Sequence, residues 1–431
     1  MFELSLMALL SQPVASLTVV PSPTLANSIQ ISPPSGQANS ISSPGWLATD
    51  AATATSEEAG LLSFAAVNTV FSIRLDGAER QLLISPPAEN SEAPLDELAW
   101  AQDGQQLAAV YNYGEVYVWR REANTITPVF KSQCTYQPSL DLAWTAEKST
   151  LLIKEFCNAP TSSSTDSRRL YISDAQGLEG TRQLSTLPDD IESDLYLSPN
   201  GEQVAFVRAG HIYRASIDGT PPQQVTQEPG IYSAAGSPLA WSPDSSKLAF
   251  YEGTYPNQKL YVMDANGRNR RLLTPEPNHQ IYRSRLFWAP DSRRLAFYVP
   301  HDPPYSNEEV IKLVDTSTGT LKTLTVPGFY DALSWSPDGQ KLAFASGKIE
   351  DQTVYVMDLS TEKFIPVTEE PLAQVLQTQW STNSQWIAFS AELANQDLGN
   401  QILYTVRPDG SELRSLTSPD EYVYPFTWQP Q

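Results

Sequence analysis

The chain has 431 residues, and its 49 acidic residues outnumber its 28 lysines and arginines, which gives a formal net charge of −21. This acidity argues against nucleic acid and anionic membrane surfaces as partners, because phosphate recognition needs a basic patch. The chain is too long for one ordinary layered domain, and its 34 prolines, 21 glycines and 10% aromatic residues are typical of a turn-rich all-β protein.

Residues 1–58 differ from the rest of the chain. Leu4–Leu10 is apolar, but no Lys or Arg precedes it, and it is too short to span a bilayer. Pro21–Glu58 is rich in Ser, Thr, Pro and Ala, as flexible linkers are. We interpret residues 1–58 as either a cleavable leader, cut after Ala26, or a disordered linker, and residues 59–431 as the folded domain. We do not expect an integral membrane protein.

A repeated unit organises the folded domain and is clearest in Leu239–Thr274. Two apolar runs flank the turn Ser242–Ser245, where Pro presets the backbone for a type I turn. A third run, Leu260–Met263, precedes a turn in which Gly267 can adopt a positive φ, and Leu272–Leu273 ends the unit. Four antiparallel strands in about 35 to 50 residues match one blade of a β-propeller.

The first strands of successive units share an aromatic landmark. These landmarks recur every 44 to 52 residues, at Trp100, Trp144, Tyr196, Trp241, Trp288, Trp335, Trp380 and Trp428. No second strand follows Trp428, whereas the strands within Leu61–Ile84 lack a first strand. Joining the two closes a ring and removes two exposed sheet edges. The sequence therefore predicts eight blades; the alternative is seven, with the divergent unit around Leu142 outside the ring.

These repeats resemble those of TolB-type β-propellers, which carry WD40-like Ser-Pro-Asp-Gly blades. The resemblance rests on Trp241–Asp244, Leu248–Phe250, Leu260–Asp264, Gly267 and Arg271–Thr274, and it covers about residues 61–431. The same blade occurs in the periplasmic component of the Tol–Pal envelope system, in propeller halves of prolyl-oligopeptidase-like peptidases, and in surface proteins. It implies a bacterial, periplasmic or otherwise extracytoplasmic protein; a cytoplasmic interaction platform is the alternative. The N-terminal α/β domain of the Tol–Pal component is not matched, since residues 1–60 are too few and too polar.

The two cysteines, Cys134 and Cys157, lack metal-ligand spacing. They flank the first hairpin of one repeat, whose turn lies near Ala146–Ser149. Folding about this turn brings both residues to the same rim. The sequence therefore predicts either a disulfide or two separate buried thiols.

Signals for catalysis are weak in this sequence. It has no Gly-x-Ser-x-Gly elbow, and its three histidines, His211, His279 and His301, have predicted places too different for one metal centre. The aspartates of the Ser-Pro-Asp turns recur with the blade, so turn geometry explains them. We therefore expect no catalytic residue, no metal site and no cofactor.

Surface recognition is the function that remains, and one rim of the ring carries the loops suited to it. The loops between second and third strands emerge there together with the loops between blades, and several are long. Tyr and Arg are favoured at contact hot spots. On this basis we select Tyr255, Tyr282, Arg283, Tyr298, His301, Tyr330 and Tyr422 as candidate binding residues.

Two functions follow from this interpretation. The first is a non-enzymatic, extracytoplasmic binding or scaffold propeller that recognises a protein or cell-envelope component. The alternative is a hydrolase or lyase acting on a peptide or carbohydrate in the axial channel. Paired carboxylates at the channel mouth would favour the enzyme.

Overall fold

The repeats form four-stranded antiparallel sheets in the computed structural model. The structure describes residues 60–66, 68–85, 95–111, 114–134, 138–145, 150–157, 167–228, 230, 239–253, 258–274, 285–300, 309–325, 330–348, 350–393, 401–419, 421 and 423–430. From Gly60 onwards they belong to one of the chain's two compact units, Thr53–Gln431. The leader or linker predicted for residues 1–58 lies outside the described residues.

Eight such sheets make up the domain, and we number them as blades along the chain. Blade 1 contains β1 (Leu61–Ala66), β2 (Thr69–Arg74) and β3 (Gln81–Ile84); blade 2, β4 (Leu95–Trp100), β5 (Gln106–Tyr111), β6 (Glu115–Arg120) and β7 (Thr125–Lys131); blade 3, β8 (Ser139–Trp144), β9 (Leu151–Cys157), β10 (Ser167–Ser173) and β11 (Thr181–Gln183); blade 4, β12 (Tyr196–Leu197), β13 (Gln203–Arg208), β14 (His211–Ser216) and β15 (Gln223–Gln224). Blade 5 contains β16 (Leu239–Trp241), β17 (Lys247–Glu252), β18 (Lys259–Asp264) and β19 (Arg271–Leu272); blade 6, β20 (Leu286–Trp288), β21 (Arg294–Pro300), β22 (Glu309–Asp315) and β23 (Leu321–Thr323); blade 7, β24 (Tyr330–Trp335), β25 (Lys341–Ser346), β26 (Thr353–Asp358) and β27 (Lys363–Pro366); blade 8, β28 (Leu372–Trp380), β29 (Ile387–Leu393), β30 (Gln401–Val406) and β31 (Arg414–Ser415). The last strand is β32 (Val423–Trp428). A 3-10 helix, Leu178–Gly180, precedes β11, and the described residues contain no helix long and apolar enough to cross a membrane.

Strand β32 supplies the missing first strand of blade 1. It pairs antiparallel with β1, with Trp428 opposite Leu62 and Phe426 opposite Phe64. The prediction of an eight-bladed ring closed by the C-terminal strand is confirmed, and the seven-bladed alternative is wrong. The unit around Leu142 forms a complete blade, because its apolar alternation sustains regular pairing between β8 and β9 despite the divergent turn sequence.

The Ser-Pro-Asp turns use their polar side chains to hold the hairpin together. In blade 5, Ser242 Oγ donates to Asp244 Oδ1 at 2.5 Å and accepts from the Lys247 backbone N–H at 2.9 Å. The Ser246 backbone N–H donates to the same carboxylate at 3.0 Å. Burial acts to raise the pKa of Asp244, but these hydrogen bonds outweigh it and lower the pKa. Turn construction thus accounts for this aspartate.

The interior consists of eight apolar cores, one between each pair of neighbouring blades. Alternate residues of a strand point to opposite faces, so each strand serves two cores. In β9, Leu151 and Ile153 pack towards blade 2, whereas Leu152 packs towards blade 4. In β17, Ala249 packs towards blade 6 and the larger Phe250 towards blade 4. Large and small side chains therefore lie on opposite faces of one blade, which suits wedge-shaped packing.

Candidate functional site at the channel mouth

The first strands surround the axis of the ring. Neighbouring first strands contact each other, as β4 does with both β32 and β8. The outermost fourth strands instead carry exposed apolar side chains such as Leu82, Ile126 and Leu272. We call the face where second strands end and third strands begin the mouth face. The opposite face, which carries the Ser-Pro-Asp turns, is the turn face.

A repeated hydrogen bond joins first strands around the axis. An indole N–H donates to the neighbouring strand's carbonyl oxygen at 2.8 to 3.3 Å in the pairs Trp144 to Ala99, Trp241 to Tyr196, Trp288 to Ala240, Trp335 to Phe287, and Trp428 to Gln379. Blade 4 cannot extend this bond to blade 3, because Leu197 occupies the Trp position and pairs with Val204. Tyr196, the landmark predicted from sequence, lies one residue earlier. The interface between blades 3 and 4, which we call the seam, therefore lacks this hydrogen bond.

Three acidic residues occupy one position in consecutive blades beside this seam. Glu97, Asp141 and Asp194 each lie three residues before the last residue of the first strand, in blades 2, 3 and 4. The same register places them at a similar level along the axis, on the mouth side of the Trp position. The Glu97 carboxyl group accepts a hydrogen bond at Oε2 from the Leu142 backbone N–H at 3.0 Å, which links blade 2 to blade 3.

Lys154 connects blade 3 to blade 4. It lies opposite Asp141 in the pairing of β8 with β9, and its Nζ forms an ion pair with that carboxylate. The same Nζ lies 3.6 Å from Asp194 Oδ2 across the seam. The Lys154 side chain is only 18% exposed, whereas those of Asp141 and Asp194 are 52% and 58% exposed. One shielded ammonium therefore serves two carboxylates that remain accessible.

Every other blade places an uncharged, buried side chain at the position of Lys154. The equivalent residues are Ala65, Val110, Val207, Tyr251, Tyr298, Ala345 and Ser390. Moving an ammonium out of water costs free energy, whereas burying Ala or Val at this position does not. Lys154 therefore departs from the pattern of the repeat, and departures of this kind concentrate at functional sites.

A cavity of about 320 Å³ opens beside this bridge. Its lining residues are Ser139, Asp141, Lys154, Glu155, Phe156, Arg168, Asp194 and Leu195. The Arg168 guanidinium lies over the Phe156 ring, with Cζ 4.8 Å from the ring centroid, and Nη1 donates to the Ile191 carbonyl oxygen at 3.2 Å. Within the described part of the chain, no carboxylate forms an ion pair with Arg168. The wall thus presents cations, accessible carboxylates and apolar side chains together.

The charges of the cluster change the protonation of its members. Burial, and then the negative charge of Asp141, raise the pKa of Glu97 to about 8. Burial acts to lower the pKa of Lys154, but Asp141, Asp194 and Glu97 outweigh it and raise the pKa. At neutral pH the site therefore holds a protonated Glu97 near a charged Lys154.

Glu155 lies on the other face of β9 and is fully buried. Its carboxylate accepts hydrogen bonds from Ser132 Oγ at 2.5 Å, from the Tyr171 hydroxyl at 3.1 Å and from Arg169 Nη1 at 3.3 Å. These three donors compensate for the loss of water around the carboxylate. Although Glu155 forms part of the cavity wall, its charge is directed away and neutralised by Arg169.

Cys134 and Cys157 form a disulfide beside Glu155, with Cα atoms 5.7 Å apart. The bond links the chain leaving blade 2 to the second strand of blade 3. One donor atom from each of Cys134, Cys157 and Glu155 lies within 4.8 Å of the others. With the sulfurs bonded to each other, this group offers no thiolate to a metal ion.

The residues selected from the loops occupy other places. Tyr255, Tyr282, Arg283, His301 and Tyr422 lie outside the described residues. Tyr298 lies in β21, is 7% exposed, and packs edge-on against Phe287. Tyr330 begins β24, is half-buried, and packs edge-on against Phe344. Neither lines the cavity, and a role in binding for all seven stays a prediction.

Selecting candidate residues from long loops misses the cluster of Glu97, Asp141, Lys154 and Asp194. These residues lie within or next to regular strands, so loop length does not point to them. Aligning the repeats on the landmark and its partner in the second strand would have placed three acids in one column. The same alignment places a single Lys in a column of uncharged residues.

Comparisons with known proteins define the class by fold. No family model matches this chain, and no curated protein matches it by sequence. A solved eukaryotic initiation factor is 11% identical, with a TM-score of 0.56 over 86% of this chain and 99% of that one. Dipeptidyl peptidase 4 of Porphyromonas gingivalis is 15% identical, with a TM-score of 0.55 over 75% of this chain and 53% of that one. A putative TolB from Agrobacterium tumefaciens is 21% identical, with a TM-score of 0.39 over 58% of this chain and 94% of that one. The fold defines the protein as a β-propeller.

Proposed function

We propose that this protein is a non-enzymatic, extracytoplasmic recognition propeller that binds a protein or cell-envelope component at its mouth face. The observation that carries the proposal is the bridge of Asp141, Lys154 and Asp194 beside the cavity. It places a charged side chain, Lys154, where every other blade has an uncharged one, and two accessible carboxylates beside it. The ring holds these charges on or next to packed strands, so binding does not require their backbone to become ordered, which favours affinity.

The disulfide between Cys134 and Cys157 supports the extracytoplasmic location. Disulfides persist in oxidising compartments and are rare in the cytosol, where thiol reductants keep cysteines reduced. The acidic chain is also consistent with a partner that is neither nucleic acid nor an anionic lipid surface.

Affinity capture from the envelope fraction of the source organism tests this function. The baits are the wild type, the double variant D141N/D194N, and the control E179Q/E362Q, which removes two exposed carboxylates from the turn face. Quantitative mass spectrometry should identify a partner retained by the wild type and the control and depleted at least tenfold with D141N/D194N. Equal retention by all three baits, or recovery of cytosolic enzymes alone, would contradict the proposal.

One observation favours a second function, a hydrolase or lyase acting on a peptide or carbohydrate. Burial, and then the negative charge of Asp141, raise the pKa of Glu97 to about 8, so this carboxyl group holds a proton at neutral pH beside a second carboxyl group. General acid–base catalysis uses such pairs. The assay incubates peptide and oligosaccharide libraries with the wild type and with E97Q and analyses the products by mass spectrometry. Products formed by the wild type but not by E97Q would replace recognition with catalysis as the function.

A further inference from the structure

The cavity between blades 3 and 4 carries balanced charges held apart on its wall. Asp141 and Asp194 supply two negative charges, and Lys154 and Arg168 supply two positive ones. The remaining acid of the lining, Glu155, is buried and already paired with Arg169 outside the cavity. The charges of these four side chains therefore sum to zero, and the wall is strongly polar.

Asp194 is the most available acceptor for a positively charged group. Its Oδ1 accepts from the Leu195 backbone N–H at 2.7 Å, which fixes the carboxylate at the cavity edge. Its Oδ2 lies 3.6 Å from Lys154 Nζ, which is engaged more closely by Asp141. A ligand ammonium beside Asp194 would therefore meet an oriented and largely exposed carboxylate.

Arg168 offers the complementary anion site. Its guanidinium stacks on the Phe156 ring and donates one hydrogen bond to the Ile191 carbonyl oxygen. A guanidinium presents a planar fork of donors that matches the two oxygens of a carboxylate. Stacking on the ring limits the orientations of the fork, so little freedom remains to be lost on binding.

Neither a simple cation nor a simple anion matches this wall. A lone cation would leave the Arg168 guanidinium without an anion, and a lone anion would add no partner to the exposed Asp194 carboxylate. Each would therefore be complementary to only part of the charged wall. A volume of about 320 Å³ lies at the small end of ligand cavities, and Phe156 and Leu195 add an apolar surface. These features favour a small ligand that carries both charges.

We propose that this cavity binds a zwitterionic amino-acid group, with its ammonium on Asp194 and Asp141 and its carboxylate on Arg168. The inference rests on the proposed function, since it identifies the chemistry recognised at the same mouth face. Either a free amino acid or the same group displayed on the side chain of a peptide branch presents this chemistry. Phe156 and Leu195 would contact the rest of the ligand.

The test begins with thermal unfolding of the wild-type protein in the presence of each standard L-amino acid at millimolar concentration. A ligand that binds only the folded state raises the melting temperature. The amino acid with the largest shift is then studied by calorimetry beside its N-acetyl and carboxamide derivatives. Each derivative lacks one charge, and each should bind at least about tenfold weaker, which corresponds to loss of one charged contact. The failure of every amino acid to bind, or equal binding of either derivative, would overturn the proposal.

Variants assign the two charges to their residues. D194N should weaken the parent amino acid more than its N-acetyl derivative, and R168M should weaken the parent more than its carboxamide. E179Q on the turn face should leave affinity unchanged. Uniform weakening of parent and derivatives by both variants would contradict the assignment. Because the derivative series uses the wild-type protein, the proposal stays testable even when a variant fails to fold.

A lysine peptide joined through the side-chain nitrogen, with free α-ammonium and α-carboxylate, separates the two ligand sources. Equal binding of the linked and the free lysine identifies a displayed group, and binding of the free form alone identifies a free amino acid. If no zwitterion binds but envelope capture still depends on Asp141 and Asp194, this inference is wrong while the proposed recognition function stands.

Discussion

Deleting strand β32 should unfold the whole ring rather than fray one end. The strand contributes Val423, Phe426 and Trp428 to the core between blades 8 and 1, where they are 0%, 2% and 8% exposed. Burying one large apolar side chain contributes about 1.5–3 kcal/mol, so the three together contribute roughly 5–9 kcal/mol. Domains are typically stable by about 5–15 kcal/mol in total. Loss of the strand would also leave one edge of β1, the edge that pairs with β32 in the intact protein, without a partner.

Urea unfolding, followed by tryptophan fluorescence and circular dichroism, measures this effect. The variant lacking residues 423–431 should be unfolded, or close to its midpoint, without denaturant, and Phe426→Ala should lose about 3–5 kcal/mol. Tyr424→Ala is the matched control in the same strand, because Tyr424 is 40% exposed and should change stability by less than about 0.5 kcal/mol. A deletion variant with the full-length midpoint, or with loss of only a small part of the signal, would refute closure by β32.

Three further predictions concern single contacts. The pKa of Glu97 is raised from 4.5 to about 8 on folding. Protonation of Glu97 therefore stabilises the folded state fully below pH 4.5, and this contribution is lost as the pH rises to about 8. E97Q should therefore gain stability relative to the wild type across this range in pH-dependent urea unfolding, and parallel curves would contradict the raised pKa. Trp241→Phe should lose about 1 kcal/mol with its interblade hydrogen bond, whereas Trp380→Phe should lose less, since the Trp380 indole N–H has no hydrogen-bond partner among the described residues. Replacing Cys134 and Cys157 with Ser should lower stability by about 3 kcal/mol for a sequence separation of 23, and a reductant should lower the wild-type midpoint but leave the variant's unchanged.

The sequence predicts the fold well because each blade encodes its own boundaries. Ser242, Asp244 and their counterparts form a turn through local hydrogen bonds, and alternating apolar residues fix which face each side chain takes. Ring closure follows from one surplus first strand at Trp428 and one missing from blade 1. The seven-bladed alternative is wrong because the Leu142 unit keeps the alternation and departs from the pattern chiefly at its turn.

The candidate site was less accessible to prediction because its residues come from different repeats. Asp141 and Lys154 meet through strand register, while Asp194 reaches Lys154 only because two blades pack side by side. Composition indicates an acidic chain but does not show where its carboxylates converge. The raised pKa of Glu97 arises from burial and a neighbouring charge, neither of which is encoded within a single unit.

The placement of β1 and β32 has a consequence for how the protein can be attached to other structures. Strand β1 begins and strand β32 ends on the turn face, where the Gln429 backbone N–H donates to the Leu61 carbonyl oxygen at 2.9 Å. The cavity lies on the mouth face. A tether joined at either end of the ring would therefore leave the cavity directed away from the anchor. Surface immobilisation, or fusion to a reporter, can use the end of β32 without covering the site.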